Sequence, residues 1–360
     1  MFLSIPVGFR VFRSPRPRRF TGAAVRRPIT FRSIAFRLVA FCLAVLCLAP
    51  VSGCAPGSVG STASPVAAGP AVTPAVPPTA ALAAAPAEAA LPPDSGVLLA
   101  VFGTSDPEAL AAYKAIAASY EKLGVPVVWA YTSEIIRAKL AKAGKRPATP
   151  AEALDQLAAK GVKNVRVQSL HMAAGEEFSQ MELGVYAAVL RRPGRFHSVR
   201  MGRPLLESER DMNEVVAAVL GDFPRDRRPG DGIVLMGHGH ADGRADLPMF
   251  AVRDAFQRAD SLVFLATVEG SLDFERVLAA LRARGVRRVW LAPFMVVAGD
   301  HARNDLAGPE EDSWASRLGE AGMDVTAHLK GLGETAGVRD VFVRHTLEAK
   351  QDLLRVKGVN

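Results

Sequence analysis

Apolar runs alternate with amphipathic stretches along most of this chain. Residues 96–103 and 125–131 are short, almost continuous apolar segments, as buried strands require, and 162–170 reads as a third strand. Between them the pattern is helical. Leu110, Tyr113, Ala117 and Tyr120 recur at helical spacing after Ser105 and Glu108, which read as a capping box. Thr149, Pro150 and Glu152 open a second helix with a cap and a first-turn proline. The alternation resumes with apolar runs at 233–237, 263–268 and 289–298. Strands that alternate with helices predict an α/β fold, with parallel sheets flanked by helices.

The second half repeats the first. Residues 153–177 (ALDQLAAKGVKNVRVQSLHMAAGEE) align without a gap on 277–301 (VLAALRARGVRRVWLAPFMVVAGDH), so that Gly161 meets Gly285 and Gly175 meets Gly299. Upstream, AVFGTS matches VLMGHG, and WAYTS-Glu134 matches FLATV-Glu269. The pattern predicts two similar lobes from an internal duplication, 95–225 and 226–360. Their active-site cleft lies outside the carboxyl ends of the strands.

The repeat also marks where the lobes differ. His238 stands opposite Thr104, and His301 opposite Glu177, while Glu269 keeps the glutamate of Glu134. The second lobe thus ends three successive strands in His238, Glu269 and His301. Each has a bland reading: a turn histidine, a helix N-terminal carboxylate, a solvated loop histidine. Together they form a candidate metal site and catalytic trio. Neutral imidazole and carboxylate suit Co²⁺, Fe²⁺, Ni²⁺ or Zn²⁺ without the grip of thiolates. An open site of this kind can release its ion, and an imidazole near neutral pKa can accept protons. That combination suits insertion of a metal into a tetrapyrrole, where ring nitrogens displace protein ligands and two N–H protons leave.

Around the trio, Arg303 is read either as a partner for a substrate carboxylate or as an ion-pair partner of Asp300 or Asp305. Glu310, Glu311 and Asp312 read first as a helix N-terminus and second as a metal-entry funnel. In the first lobe, His171, Glu176 and Glu177 sit at the matching strand end. They are candidate substrate-binding residues, with a satisfied strand-end histidine as the alternative for His171. His240 is a turn histidine or a support for the site. Tyr131, Met172, Phe294 and Met295 are candidate apolar walls, with core packing as the alternative.

Composition separates this domain from what precedes it. Residues 1–54 hold nine arginines and no acid, so the chain's +8, less those nine, leaves −1 for residues 55–360. The basic character belongs to the leader, and nucleic acid is excluded as a partner. Residues 38–49 are an apolar stretch after Arg37, short for a membrane span and of signal-peptide length. The VSG-Cys54 that follows resembles a bacterial lipobox, with Cys54 as the lipidated residue. The expectation is export to the periplasm, with membrane contact through an N-terminal lipid. Residues 55–94, rich in Ala and Pro, predict a disordered tether. All three cysteines, Cys42, Cys47 and Cys54, lie in the leader, which excludes a zinc–cysteine site and covalently attached haem in the folded part. Oligomeric state is left open, a homo-oligomer included.

The motifs FGTS, WAYTSEIIRAKL, LHMAAGEEF, MGHG, TVEG and AGDHARND, in this order over 95–350, resemble the anaerobic (class II) cobalt chelatases of the CbiK type. These are sirohydrochlorin cobaltochelatases. The resemblance implies a two-lobed chelatase fold and insertion of Co²⁺ as substrate metal, Fe²⁺ being the other candidate, with no nucleotide. It implies metal binding by His238, Glu269 and His301. The family often has a histidine after GEEF where this chain has Ser179 and Gln180, so haem ligation there is not carried over. Two other readings compete: an exported carrier of metal or tetrapyrrole without turnover, and, more remotely, a metal-dependent hydrolase.

Overall fold

In the structure, a computed structural model, residues 91–107, 109–240 and 246–355 are described. The leader, with Cys54, and the tether as far as residue 90 lie outside them. Residues 91–94, expected in the tether, are instead fastened to the domain. Pro93 O accepts the Asn164 amide at 2.9 Å, Asp94 O accepts the Lys163 N–H at 2.8 Å, and Leu91 packs on the core. Among the described residues no helix is long and apolar enough to cross a membrane.

The first lobe has strands β1 (Ser95–Val101), β2 (Val127–Tyr131), β3 (Asn164–Ser169) and β4 (Ser198–Gly202), in the order β2-β1-β3-β4 and all parallel. The second has β5 (Gly232–Gly237), β6 (Val263–Thr267), β7 (Arg288–Pro293) and β8 (Asp324–Ala327), parallel in the equivalent order β6-β5-β7-β8. Helices α1 (Leu110–Glu121), α2 (Glu134–Lys142), α3 (Pro150–Ala159), α4 (Glu176–Leu190) and α5 (Glu209–Asp222) belong to the first half. Helices α6 (Asp246–Ala259), α7 (Phe274–Ala283), α8 (Trp314–Glu320) and α9 (Ala336–Leu347) follow.

The gapless repeat is kept in space. Helix α7 starts and ends 124 residues after α3 (274 against 150, 283 against 159), and β7 lies 124 after β3 (288 against 164, 293 against 169). Both helices end the same way, with Gly161 at φ 79° and Gly285 at φ 66° in the left-handed conformation that a side chain disfavours. Helix α3 starts on the expected capping box: Thr149 Oγ1 accepts the Glu152 N–H, and the Glu152 carboxylate accepts the Thr149 N–H at 2.8 Å. Helix α1 departs from expectation. It begins at Leu110, with Ala109 at the N-cap and no side-chain cap, while Ser105 lines the cleft described below; Glu108, the other half of the expected box, lies outside the described residues.

Each central strand is buried on both faces, which accounts for the unbroken apolar runs. On β1, Leu98 and Ala100 join the layer under α3 and α4, while Val97, Leu99 and Val101 face the middle of the molecule. There they share one core with Ile233 and Leu235 of β5, with Trp290 and Phe294, and with the apolar faces of α1, α5, α6 and α9. The outer face of the second sheet is covered by α7 and α8, where Phe274 and Trp314 stack at 4.5 Å.

The chain does not end in the second lobe as the 226–360 boundary expected. After β8 it returns to the first: α9 packs on β3 and β4, and a two-residue strand, β9 (Gln351–Asp352), pairs antiparallel with β4. The return covers an otherwise open edge of the first sheet. Polar groups lock it. Tyr120 Oη and Thr346 Oγ1 lie 2.8 Å apart, and Thr346 donates to Gln168 Oε1 at 3.0 Å. Gln168 Nε2 in turn donates to the carbonyls of Ser169 and Arg203. Asp211 on α5 takes His345 Nε2 at 2.8 Å and Arg344 of α9. This network fixes the end of β3, where the site begins.

Candidate active site

Four chain segments leave the carboxyl ends of β1, β3, β5 and β7 and enclose a cleft of about 440 Å³. They are residues 102–105, 170–173, 238–240 and 294–297, two from each lobe. Phe102, Met172, Phe294, Met295, Val296 and Val297 make its walls mainly apolar. Tyr131, expected among them, packs instead against Tyr113, which does line the cleft.

His238 follows β5 directly. The turn depends on Gly239, at φ 74°, where a Cβ would sit 1.8 Å from the Glu269 carbonyl oxygen. The loops after β5 and β6 are therefore in backbone contact, and the Glu269 N–H donates to the His238 carbonyl at 2.9 Å. His238 Nδ1 lies 2.9 Å from the Gly239 carbonyl oxygen. A carbonyl only accepts, so Nδ1 carries the proton and Nε2 keeps its lone pair.

His301 opens a π-helical turn, Ala302–Leu306. Asp305, one turn on, stands beside His301, whose Nδ1 bonds the Asp305 carboxylate. Again Nδ1–H is the donor, which in the neutral ring leaves the lone pair on Nε2. A carboxylate behind an imidazole orients the ring and raises its basicity toward a cation. The rings of His238 and His301 stand 5.0 Å apart, centroid to centroid, at 81°. Both are open to the cleft.

Glu269 is placed differently. Its backbone touches the His238 turn, but its side chain is exposed and does not line the cleft. The loop is held from behind: buried Asp246 accepts the Ser271 N–H at 2.9 Å and crowds Gly270, at φ 92°. Among the described residues no set of three metal-binding side chains is assembled in advance. Two of the three expected ligands are together, and the third stands on the adjoining loop.

The flanking residues also sort themselves. Arg303 pairs with neither Asp300 nor Asp305. Asp305 is engaged by His301, and Arg303 reaches across to the first lobe, 2.6 Å from Asp106. Asp300 lines the cleft. Glu177 lines it too and accepts from His240 Nε2 at 3.1 Å, a second link between the lobes. Burial alone would raise the Glu177 carboxyl, but its backbone N–H and His240 outweigh that and hold it below its ordinary range. Glu176 points away, exposed, and bonds Gln180. Glu310, Glu311 and Asp312 are exposed ahead of Ser313, the cap of α8, which fits the first of their two readings. His171 lines the cleft, with burial pushing its imidazole down to about 4. Asp106 and Asp246 escaped the sequence reading, since a single aspartate in a loop or at a helix start carries no periodic or motif signal.

Two imidazoles with paired lone pairs, facing an apolar slot, can hold one borderline cation and leave it exchangeable positions. Comparison with known proteins agrees with this chemistry. The chain is 34% identical over 256 residues to the sirohydrochlorin cobaltochelatase CbiKC of Nitratidesulfovibrio vulgaris, covering 71% of this chain and 90% of that one. It is 37% identical over 222 residues to the sirohydrochlorin cobaltochelatase of Salmonella typhimurium, covering 61% and 81%. Among solved structures, SirB from Bacillus subtilis with Fe³⁺ matches with a TM-score of 0.50 at 15% identity, over 70% of this chain and 93% of that one, a likeness of fold. The profile of the family described as cobalt chelatase (CbiK) matches residues 95–351, and the chain belongs to that family.

Proposed function

We propose that this protein is a sirohydrochlorin cobaltochelatase that inserts Co²⁺, its substrate metal, into the ring without nucleotide. The observation that carries this reading is the facing pair of His238 and His301, each with Nδ1 hydrogen-bonded from behind. Their Nε2 atoms receive the cation. Glu269, on the loop bonded to the His238 carbonyl, completes the ligand set when the cation arrives. The macrocycle lies against Phe102, Met172 and Phe294. Ring nitrogens then replace the imidazoles one at a time, and the two N–H protons pass to the freed imidazole nitrogens and on to solvent. One cation enters and two protons leave, so charge balances. The ligand types also admit Fe²⁺ or Ni²⁺.

The test mixes the purified chain with sirohydrochlorin and Co²⁺ and follows the absorption spectrum. Insertion faster than the uncatalysed background, and lost in His238→Ala, is the expected result. A rate equal to background would overturn the proposal. A second reading is an exported carrier, supported by the leader: if it directs export, the site would stand away from a cytoplasmic supply of ring. A carrier would bind Co²⁺ or the ring yet show no turnover in the same assay. We further propose export to the periplasm with Cys54 as lipid anchor. Cys54→Ala should then move the protein from the membrane fraction to the soluble periplasmic one.

A further inference from the structure

The third imidazole of the cleft differs from the other two. His171 follows β3, and its backbone is held by hydrogen bonds to its carbonyl from the Leu205 N–H at 3.0 Å and to the Met172 carbonyl from the Leu206 N–H at 2.8 Å. Its Nδ1 lies 2.8 Å from Ser169 Oγ. Ser169 is fully buried, and among the described residues the one other partner of its hydroxyl oxygen is the His171 N–H, a donor, at 3.3 Å. The hydroxyl proton therefore has one acceptor in reach, Nδ1. That assignment puts the imidazole proton on Nε2, the reverse of His238 and His301. Nε2 is buried and has no hydrogen-bond partner among the described residues, although the ring lines the cleft. Glu177, whose charge acts on His171, gives its carboxylate to His240 instead. An orphaned buried donor is costly, and a ligand that supplies an acceptor removes the cost. Burial also keeps this ring neutral, so it stays a single-proton donor.

We infer that His171 is a substrate-binding donor whose Nε2–H, fixed by Ser169, takes a carboxylate on the tetrapyrrole periphery while His238 and His301 keep their lone pairs for the cation. The inference rests on the proposed function and adds a division of labour to it. Because its free nitrogen is protonated, His171 is neither a metal ligand nor an acceptor for the departing protons. Ser169 is a positioning residue that acts through the ring.

The experiment titrates metal-free sirohydrochlorin into the full chain and into His171→Leu, His171→Gln and Ser169→Ala, with Co²⁺ titration alone as control. Loss of a hydrogen bond to a charged acceptor weakens binding about tenfold to hundredfold, and that loss is expected for His171→Leu. Gln, which keeps an N–H at similar reach, should recover most of it, and Co²⁺ binding should not change. Imidazole ¹⁵N shifts should report an unprotonated Nδ1 on His171 in the native chain and a mixture in Ser169→Ala. Equal ring affinity in the native chain and His171→Leu would overturn this inference alone, as would a protonated Nδ1. No ring binding by the native chain would overturn the proposed function and this inference with it. Should His171→Leu lose Co²⁺ binding through misfolding, the shifts and Ser169→Ala decide.

Discussion

The two lobes are copies of one scaffold put to opposite uses. After β3, the sequence Gly-Glu-Glu at 175–177 starts a regular fifteen-residue helix, α4. After β7, Gly-Asp-His at 299–301 leads into a π-helical turn of five residues. Where the second lobe has His238, the first has Thr104, whose Oγ1 accepts the Asp106 N–H at 3.0 Å. At the positions that match His238 and His301, the first lobe thus keeps its side chains bonded, Thr104 to its own backbone and Glu177 to the partner lobe. The second leaves lone pairs facing the cleft. A duplication supplies the cleft, and a few strand-end changes in one copy supply the chemistry.

The contrast breaks most visibly at the imidazoles. His301→Ala or His238→Ala should lower insertion at least about 100-fold, measured as kcat/KM, while Thr104→Ala at the matching position should leave it within a few-fold. Comparable losses at both positions would mean that the lobes share the chemistry. The next effect is at the support of the ring. Asp305→Ala should weaken Co²⁺ affinity by about 10- to 100-fold, read by titration, with the fold intact by circular dichroism.

Backbone changes sharpen the comparison further. Gly239→Ala forces a side chain into both the left-handed region and the Glu269 carbonyl. It should cost about 1–3 kcal/mol by denaturant unfolding and also disturb Co²⁺ binding. Gly285→Ala, at the end of α7 with open space around it, should cost about 1 kcal/mol and spare the metal. The smallest expected effect is acid sensitivity of the returning C-terminal segment. Burial alone would raise the Asp211 carboxyl, but hydrogen bonds from His345, Ser208 and Arg344 hold it well below the usual range. A folded-state pKa below the unfolded one gives stability that is present above the unfolded pKa and lost as pH falls toward the folded value. The denaturation midpoint should therefore drop between about pH 5 and pH 2 in the native chain, and drop less in Asp211→Asn.

Much of this was legible in the chain itself, and the reasons differ by element. The gapless match of 153–177 to 277–301 placed α3, β3, α7 and β7, because local period, cap and terminal glycine all agree there. The start of α1 was not legible. Ser105 has the right spacing for a capping box, but the helix begins only at Leu110, behind the N-cap Ala109. The return of α9 and β9 to the first sheet was hidden because amphipathicity tells which face of a helix is buried and not against which sheet. At the site, His238 and His301 announced themselves as imidazoles absent from the first copy. The Arg303–Asp106 pair and the Glu177–His240 pair are contacts across the lobes, and no local pattern encodes them.

X-ray absorption of the Co²⁺-loaded protein addresses the facing imidazoles most directly. Two imidazole nitrogens in the first coordination shell, falling to one in either His238→Ala or His301→Ala, is the expected spectrum. A shell of oxygen ligands alone, unchanged by both substitutions, would show that the second lobe does not grip the cation in this way.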